Sequence, residues 1–443
     1  MEYKSFIFEG YRYHPTTSML LLCYRYSDGP RFEEKLIFDF EPQRLTPAQS
    51  EVLDRIFRLI FLMSGVSYYK AYVPKLLMCE PFALDNQAAA FLAGFYENGL
   101  AEFAFRNGLS LSDHCRFQPT TTDVAAPIPL DLPHRTCVPV GGGKDSIVTF
   151  ECLKKSGQPI LLFALGDAEP ITACIAAAQL PFIRVWRRLD KRLFELNQAG
   201  ALNGHVPITG ILSAIALAAA VMAGCNAVVM SNEHSASAPN FTVESRPVNH
   251  QYSKSFELEQ AFATYIERFI SPSISYFSLL RPFSEIEIAR RFAKFPAYFG
   301  EFRSCNTAFR QSRAARGRHW CGDCAKCRFV FLALAPFVGK SDLVQIFGHN
   351  LLDDRTQRDG FAELCGLEQY KPFECVGETA ESAAVMSYLG GHPDWRQDAV
   401  VRQLNDEFPV LRHTDPAQFR ALLEIRHPHR VPPSYMAMLD ACG

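Results

Sequence analysis

From residue 136 the sequence falls into an alternation that few folds can satisfy. Short apolar runs, "TCVPV", "ILLFAL", "FIRVW" and "AVVMS", alternate with stretches of helical period, among them 145–156 and "PITACIAAAQ". This pattern predicts parallel strands joined by crossover helices, an α/β architecture with helices covering the sheet. A helix at "SFELEQAFATYIERF", a strand at "SISYFSLL" and a helix at "SEIEIARRFAKF" extend the series. Ser284 and Glu287 have the spacing of a capping box for that last helix.

The first turn of the series carries chemistry. "TCVPV" runs into Gly141, Gly142 and Gly143, then Lys144, Asp145 and Ser146. A strand that ends in glycines and opens a helix makes an anion site. Without a Cβ, backbone N–H groups can converge on phosphate oxygens, and the helix N-terminus adds positive charge. Lys154, Lys155 and Gly157 mark where that helix should stop. A Walker A loop is excluded, because Asp145 follows Lys144 and Val138 stands five places before Gly143. The dinucleotide fingerprint fails too, since Ser146 occupies its third glycine position.

The run GGGKDS resembles the SGGxDS loop of the N-type ATP pyrophosphatases, the PP-loop enzymes. The resemblance implies ATP binding, cleavage between the α and β phosphates, and AMP transfer to a carboxylate or carbonyl oxygen. Gly142 and Gly143 would wrap the phosphates, Lys144 position them, Asp145 help hold Mg²⁺, and Ser146 hydrogen-bond a phosphate. Gly141 departs from the pattern, which has serine there.

Around this core, residues 1–42 predict a β-meander and 46–108 predict helices, while Pro- and Thr-rich 120–135 reads as a linker. The expected organisation is an N-terminal α+β domain at 1–125 and a PP-loop nucleotide-binding α/β domain at 126–300. A four-cysteine metal-binding segment at 301–340 and a mostly helical region at 341–443 follow.

Cys305, Cys321, Cys324 and Cys327 have metal-ligand spacing, two-residue gaps closed by one distant thiolate. Four thiolates leave no open position, so the role is structural. Zinc is the metal expected; an iron–sulfur cluster uses similar runs. Arg303, Arg310, Arg313, Arg316, Arg318, Lys326 and Arg328 surround the knuckle, either meeting substrate phosphates or forming a solvated basic face.

The chain's bulk properties narrow the partners. Its 443 residues are 48% hydrophobic and 21% charged, which fits a folded protein. A net charge of −2 argues against a grip on long nucleic acid. Fourteen cysteines and a start, "MEYKSFIFEG", without an apolar signal core point to the reducing cytoplasm. Residues 206–230 carry no charge and are long enough to cross a bilayer. Pro207, Gly210, Gly224 and Asn226 punctuate them, so a buried helix feeding a buried strand is expected, with no membrane span.

Beyond the "AVVMS" strand lies a polar stretch, 231–255, at the strand end where parallel sheets bind ligands. It holds Asn232, Glu233, His234, Arg246, Asn249, His250 and Lys254. "VGGGKDS", "SNEHSAS", "VNHQYSKS", "WCGDCAKCRFVFLALAPF", "NLLDD" and "KPFECVGE" together resemble the UDP-N-acetyl-α-D-muramoyl-L-alanyl-L-glutamate epimerase family. That resemblance implies a UDP-muramoyl dipeptide whose terminal L-Glu becomes D-Glu, with ATP consumed to AMP and pyrophosphate. Asn232, Glu233, Arg246, Asn249 and Lys254 would then touch substrate. The proton shuttle would draw on His234, His250, Lys254 or a cysteine outside the metal set. Adenylating an RNA base or another carboxylate is the alternative enzyme reading, and a non-catalytic nucleotide sensor is a third. AMP release and product chirality separate them. The oligomeric state is not legible.

Overall fold

The computed structural model describes residues 3–42, 44–243, 246–309, 317, 319–368, 371–412, 416–425 and 427–442. Twelve strands are formed among them: β1 (Ser5–His14), β2 (Met19–Tyr26), β3 (Arg31–Asp39), β4 (Leu76–Cys79), β5 (Arg116–Phe117), β6 (Thr136–Pro139), β7 (Ile160–Leu165), β8 (Phe182–Arg188), β9 (Ala227–Met230), β10 (Phe241–Val243), β11 (Arg246–Val248) and β12 (Ser275–Ser278). Ten of them make one sheet in the order β12-β9-β6-β7-β8-β3-β2-β1-β4-β5, and β10 with β11 make a separate hairpin.

The α/β expectation holds, and the sheet is mostly parallel. β12, β9, β6, β7 and β8 pair in parallel, as crossover helices require. The meander β1–β3 adds antiparallel strands, and β3 pairs with β8 from Lys35↔Arg188 to Asp39↔Arg184. The sheet therefore runs unbroken across the boundary expected at residues 125–126. A buried ion pair pins that seam: Arg187 Nε donates to Glu34 at 2.7 Å and Arg187 Nη2 to Ser67 Oγ at 2.9 Å.

The apolar segment that imitates a membrane span is the buried helix Ile208–Met222, which feeds β9. It packs against the helix Pro47–Ser64. No helix among the described residues is long and apolar enough to cross a membrane. The Pro47–Ser64 helix starts in a capping box between Thr46 and Gln49. Its last-turn carbonyls are satisfied by buried tyrosines: Tyr24 Oη donates to Phe61 O at 2.9 Å and Tyr96 Oη to Leu62 O at 2.6 Å.

One local expectation needs correcting, and two features add to the sequence reading. The Ser284 side chain accepts from Glu287 N–H, but the reciprocal half of the capping box is missing. Glu287 instead binds Arg290 and Arg291, charges strong enough to hold its carboxylate away from the helix start. The 120–135 linker has no helix or strand but is strapped down: Ile128 N–H donates to Ile270 O and Leu130 N–H to Ser273 Oγ. Cys152 and Cys442, to which the sequence assigns no role, are disulfide-bonded with Cα atoms 5.3 Å apart. They join the glycine-loop helix Lys144–Lys155 to the helix Pro433–Cys442.

Candidate active site

The sheet reverses its winding between β6 and β9. From β6 the chain builds outward through β7 and β8, then crosses back to lay β9 and β12 on the other side. A crevice opens at the carboxyl ends of strands at such a switch point. A cavity of roughly 510 Å³ lies there, lined by Gly141, Gly143, Lys144, Asp145 and Ser146 after β6, and by Ser231 and Asn232 after β9.

Of the three glycines, Gly142 is the one whose backbone excludes other residues. Its φ is +78°, and a Cβ would come within 2.8 Å of the Pro170 backbone. Arg303 N–H donates to Gly142 O at 2.8 Å, which ties the loop to the cysteine segment. Gly141 has open space where a side chain would go, so the serine of the resembling pattern would fit. Gly143 is the N-cap of the Lys144–Lys155 helix, and Ser146 Oγ donates to its carbonyl at 3.2 Å.

Lys144 is buried beneath the loop. Its Nζ donates to Asp145 at 2.6 Å and to Glu285. Burial works against its charge, but Asp145 and Glu285 hold its pKa above the ordinary lysine value. Carboxylate oxygens of Asp145, Glu233 and Glu285 lie within 4.8 Å of one another. Three clustered carboxyl groups are an oxygen donor set that could hold a hard divalent cation.

Lys254, Lys326 and Cys375 line the same cavity. Behind Cys375 stands His250, within hydrogen-bonding reach of the thiol, and behind His250 stands Glu102, which accepts from His250 Nδ1. Glu102 is 5% exposed and also accepts from Arg106 Nε at 2.6 Å. His205 approaches the same carboxylate at 3.7 Å; burial, then the His250 charge, brings its pKa down to about 4. Burial would lower His250 too, but hydrogen bonds to Cys375 and Glu102 raise it to about 9. Burial would raise the Cys375 thiol; the Lys254 charge, then the His250 hydrogen bond, bring it down to about 6. At neutral pH the pair is a thiolate and an imidazolium.

The four knuckle cysteines converge. Cys321 Sγ is 3.6 Å and Cys324 Sγ 3.5 Å from Cys327 Sγ, and all four sulfurs lie within 4.8 Å of one another. Zn–S bonds of about 2.3 Å at tetrahedral angles put sulfurs roughly 3.8 Å apart, so the group could hold zinc. Of the surrounding basic residues, Lys326 lines the cavity and Arg328 binds Asp323 at 2.7 Å. Arg303 pairs with Glu169. Arg310, Arg313, Arg316 and Arg318 lie outside the described residues.

Residues 1–279 match the family model of the MurL N-terminal domain, and residues 301–419 that of the MurL C-terminal domain. The chain belongs to the MurL family. A relative from Xanthomonas oryzae pv. oryzae is 41% identical over 94% of this chain and 93% of its own length. One from Salinispora tropica is 41% identical over 91% of this chain and 89% of its own. Both are named UDP-N-acetyl-alpha-D-muramoyl-L-alanyl-L-glutamate epimerase. The cavity of this MurL chain draws on both matched regions: Cys375 and Lys326 from the second, the glycine loop and Lys254 from the first.

Not every residue singled out from the MurL sequence reaches the cavity. His234 stacks on His427 with ring centroids 3.5 Å apart and does not line it. Arg246 is exposed and binds Glu97 at 2.9 Å. Asn249 shapes the loop, donating to Ala236 O at 3.0 Å and accepting from Gln251 N–H at 2.8 Å.

Arg281, Glu285, Glu102 and Cys375 were missed by sequence reasoning. Arg281 is fully buried and holds Glu259 at 2.8 Å. Its Nη1 donates to Glu233 O and its Nη2 to Lys254 O at 2.6 Å, so it fixes both ends of the polar loop. The available signal was a lone arginine directly after the apolar run "SISYFSLL". Glu285 stands beside the capping serine, and Cys375 lies inside the quoted "KPFECVGE".

Proposed function

We propose that this chain converts the terminal L-Glu of UDP-N-acetylmuramoyl-L-alanyl-L-glutamate to D-Glu, as its MurL relatives are named for doing. ATP is the co-substrate, and AMP and pyrophosphate are the by-products. The nucleotide end belongs to the PP-loop type. One observation carries the reading: a phosphate-type loop and the proton-transfer candidates Lys254 and Cys375 line a single cavity.

The chemistry explains the pairing. A proton beside an ionised carboxylate resists removal, because a second negative charge would form next to the first. Adenylation removes that charge and gives the carbanion a carbonyl to delocalise into. Backbone N–H groups of the glycine loop and the start of the Lys144–Lys155 helix orient the phosphates. Lys144 stays protonated and adds positive charge. Asp145, Glu233 and Glu285 would hold Mg²⁺, which supplies charge neutralisation to the phosphates. Asn232 lines the same space. The four cysteines would hold a structural Zn²⁺ that braces the C-terminal wall.

The test is to incubate the protein with the L-Glu muramoyl dipeptide, ATP and Mg²⁺ and to follow AMP, pyrophosphate and product chirality. Stoichiometric AMP with a D-Glu product is expected. AMP release with a new amide or thioester product would make the protein a ligase, and no AMP would remove the adenylation scheme.

A further inference from the structure

Inversion at carbon needs one group to take the proton and another to return it on the opposite face. Six titratable side chains line the cavity: Lys144, Asp145, Lys254, Glu285, Lys326 and Cys375. Lys144, Asp145 and Glu285 are bound to one another under the glycine loop. Lys326 pairs with Glu374 at 3.6 Å. Lys254 and Cys375 remain.

We propose that Cys375 is the base that removes the α-proton of the L-glutamyl residue, and that Lys254 returns a proton to the other face. This rests on the epimerase reading above. The Cys375 thiol opens on the cavity, while His250 and Glu102 stand behind it as a relay. The charges that act most on the sulfur are those of Lys254, His250 and Lys326, all cationic; Glu102 is bonded to His250, and Glu374 to Lys326. Each of Cys375 and Lys254 is the strongest opposite charge acting on the other. Thiolate and ammonium are therefore the resting forms, which suits the L-to-D direction.

The step balances. The Cα–H bond breaks as the S–H bond forms, and the electron pair moves into the activated carbonyl. An N–H bond of Lys254 then breaks as the new Cα–H bond forms. One proton has passed from lysine to cysteine by way of the substrate, and exchange with water restores both groups. Glu102 and His250 are positioning residues, since they act through the sulfur.

Cys375→Ser and Cys375→Ala are tested in D₂O with the L-Glu dipeptide, ATP and Mg²⁺, against the unaltered protein. AMP release is expected to persist, while inversion and α-deuterium uptake fall about 10²–10⁴-fold, the range for loss of a general base. Inversion within tenfold of the unaltered protein overturns the proposal. Failure of the unaltered protein to release AMP overturns the ATP-dependent epimerase reading on which the proposal rests, and the proposal with it. If neither variant folds, iodoacetamide on the native protein with peptide mapping decides. Loss of inversion in proportion to Cys375 alkylation supports the assignment, and full inversion on alkylated protein overturns it. Lys254→Met should not invert, and its α-proton exchange should need a higher pH than in the unaltered protein, because the variant also removes the charge that holds the Cys375 thiol down. Inversion by that variant, or loss of its AMP release, removes Lys254 as the donor.

Discussion

Glu102 and His250 are 148 positions apart in the chain and hydrogen-bonded to each other. The carboxylate comes from the short helix Ala101–Arg106, in the region that sequence reasoning left without a role. The imidazole comes from the polar loop after β11. The contact gives the N-terminal region a task at the cavity as well as four strands of the sheet's far edge and β3 at its seam.

Glu102→Gln should raise the pH at which Cys375 becomes reactive. The sign follows from charge. Glu102 helps hold His250 protonated; without it, burial returns the ring toward the neutral form. A neutral ring stabilises a thiolate less than an imidazolium does, so the thiol pKa rises from about 6. Iodoacetamide rates at Cys375 against pH should show the midpoint moving up in the variant.

Arg281→Met should cost roughly 3–5 kcal/mol, because it strands the Glu259 carboxylate in the interior. Replacing both residues with apolar side chains should cost less than the single change. Urea denaturation measures both. The single variant should also lose epimerisation, since Arg281 holds the Glu233 and Lys254 carbonyls.

Gly142 and Gly141 should respond in opposite ways. Gly142→Ala places a Cβ against the Pro170 backbone at positive φ, so nucleotide affinity should fall and stability drop by about 1–3 kcal/mol. Gly141→Ser meets open space and should change stability by under about 0.5 kcal/mol. Calorimetric ATP titration and thermal melts check the pair.

Metal analysis should find one zinc per chain, and Cys305→Ser should abolish it. The variant should melt at a lower temperature, because ligand binding is coupled to the folding of the knuckle. A brown protein absorbing in the visible would indicate an iron–sulfur cluster instead.

The parts of the site that the sequence displays are contiguous. The glycine loop, the cysteine spacing and the polar stretch each announce themselves because one short segment carries the whole pattern. Glu102, Arg281 and Cys375 could not be read that way. Each matters only through a partner brought up by the fold: Glu102 through His250, Arg281 through the carbonyls of Glu233 and Lys254, Cys375 through Lys254. The same holds for β3 against β8, where a register of five pairs joins two stretches of opposite character. His234 and Arg246 show the reverse. Polar residues in a functional loop attract notice, yet one stacks on His427 and the other meets Glu97.

The central claim is that the α-proton becomes removable only after the neighbouring carboxylate has been adenylated. The direct measurement follows α-deuterium entry into the L-Glu dipeptide in D₂O, with ATP, with α,β-methylene ATP, or with no nucleotide. Deuterium should enter with ATP and with neither of the others. Entry without nucleotide, or with the uncleavable analogue, would contradict the claim.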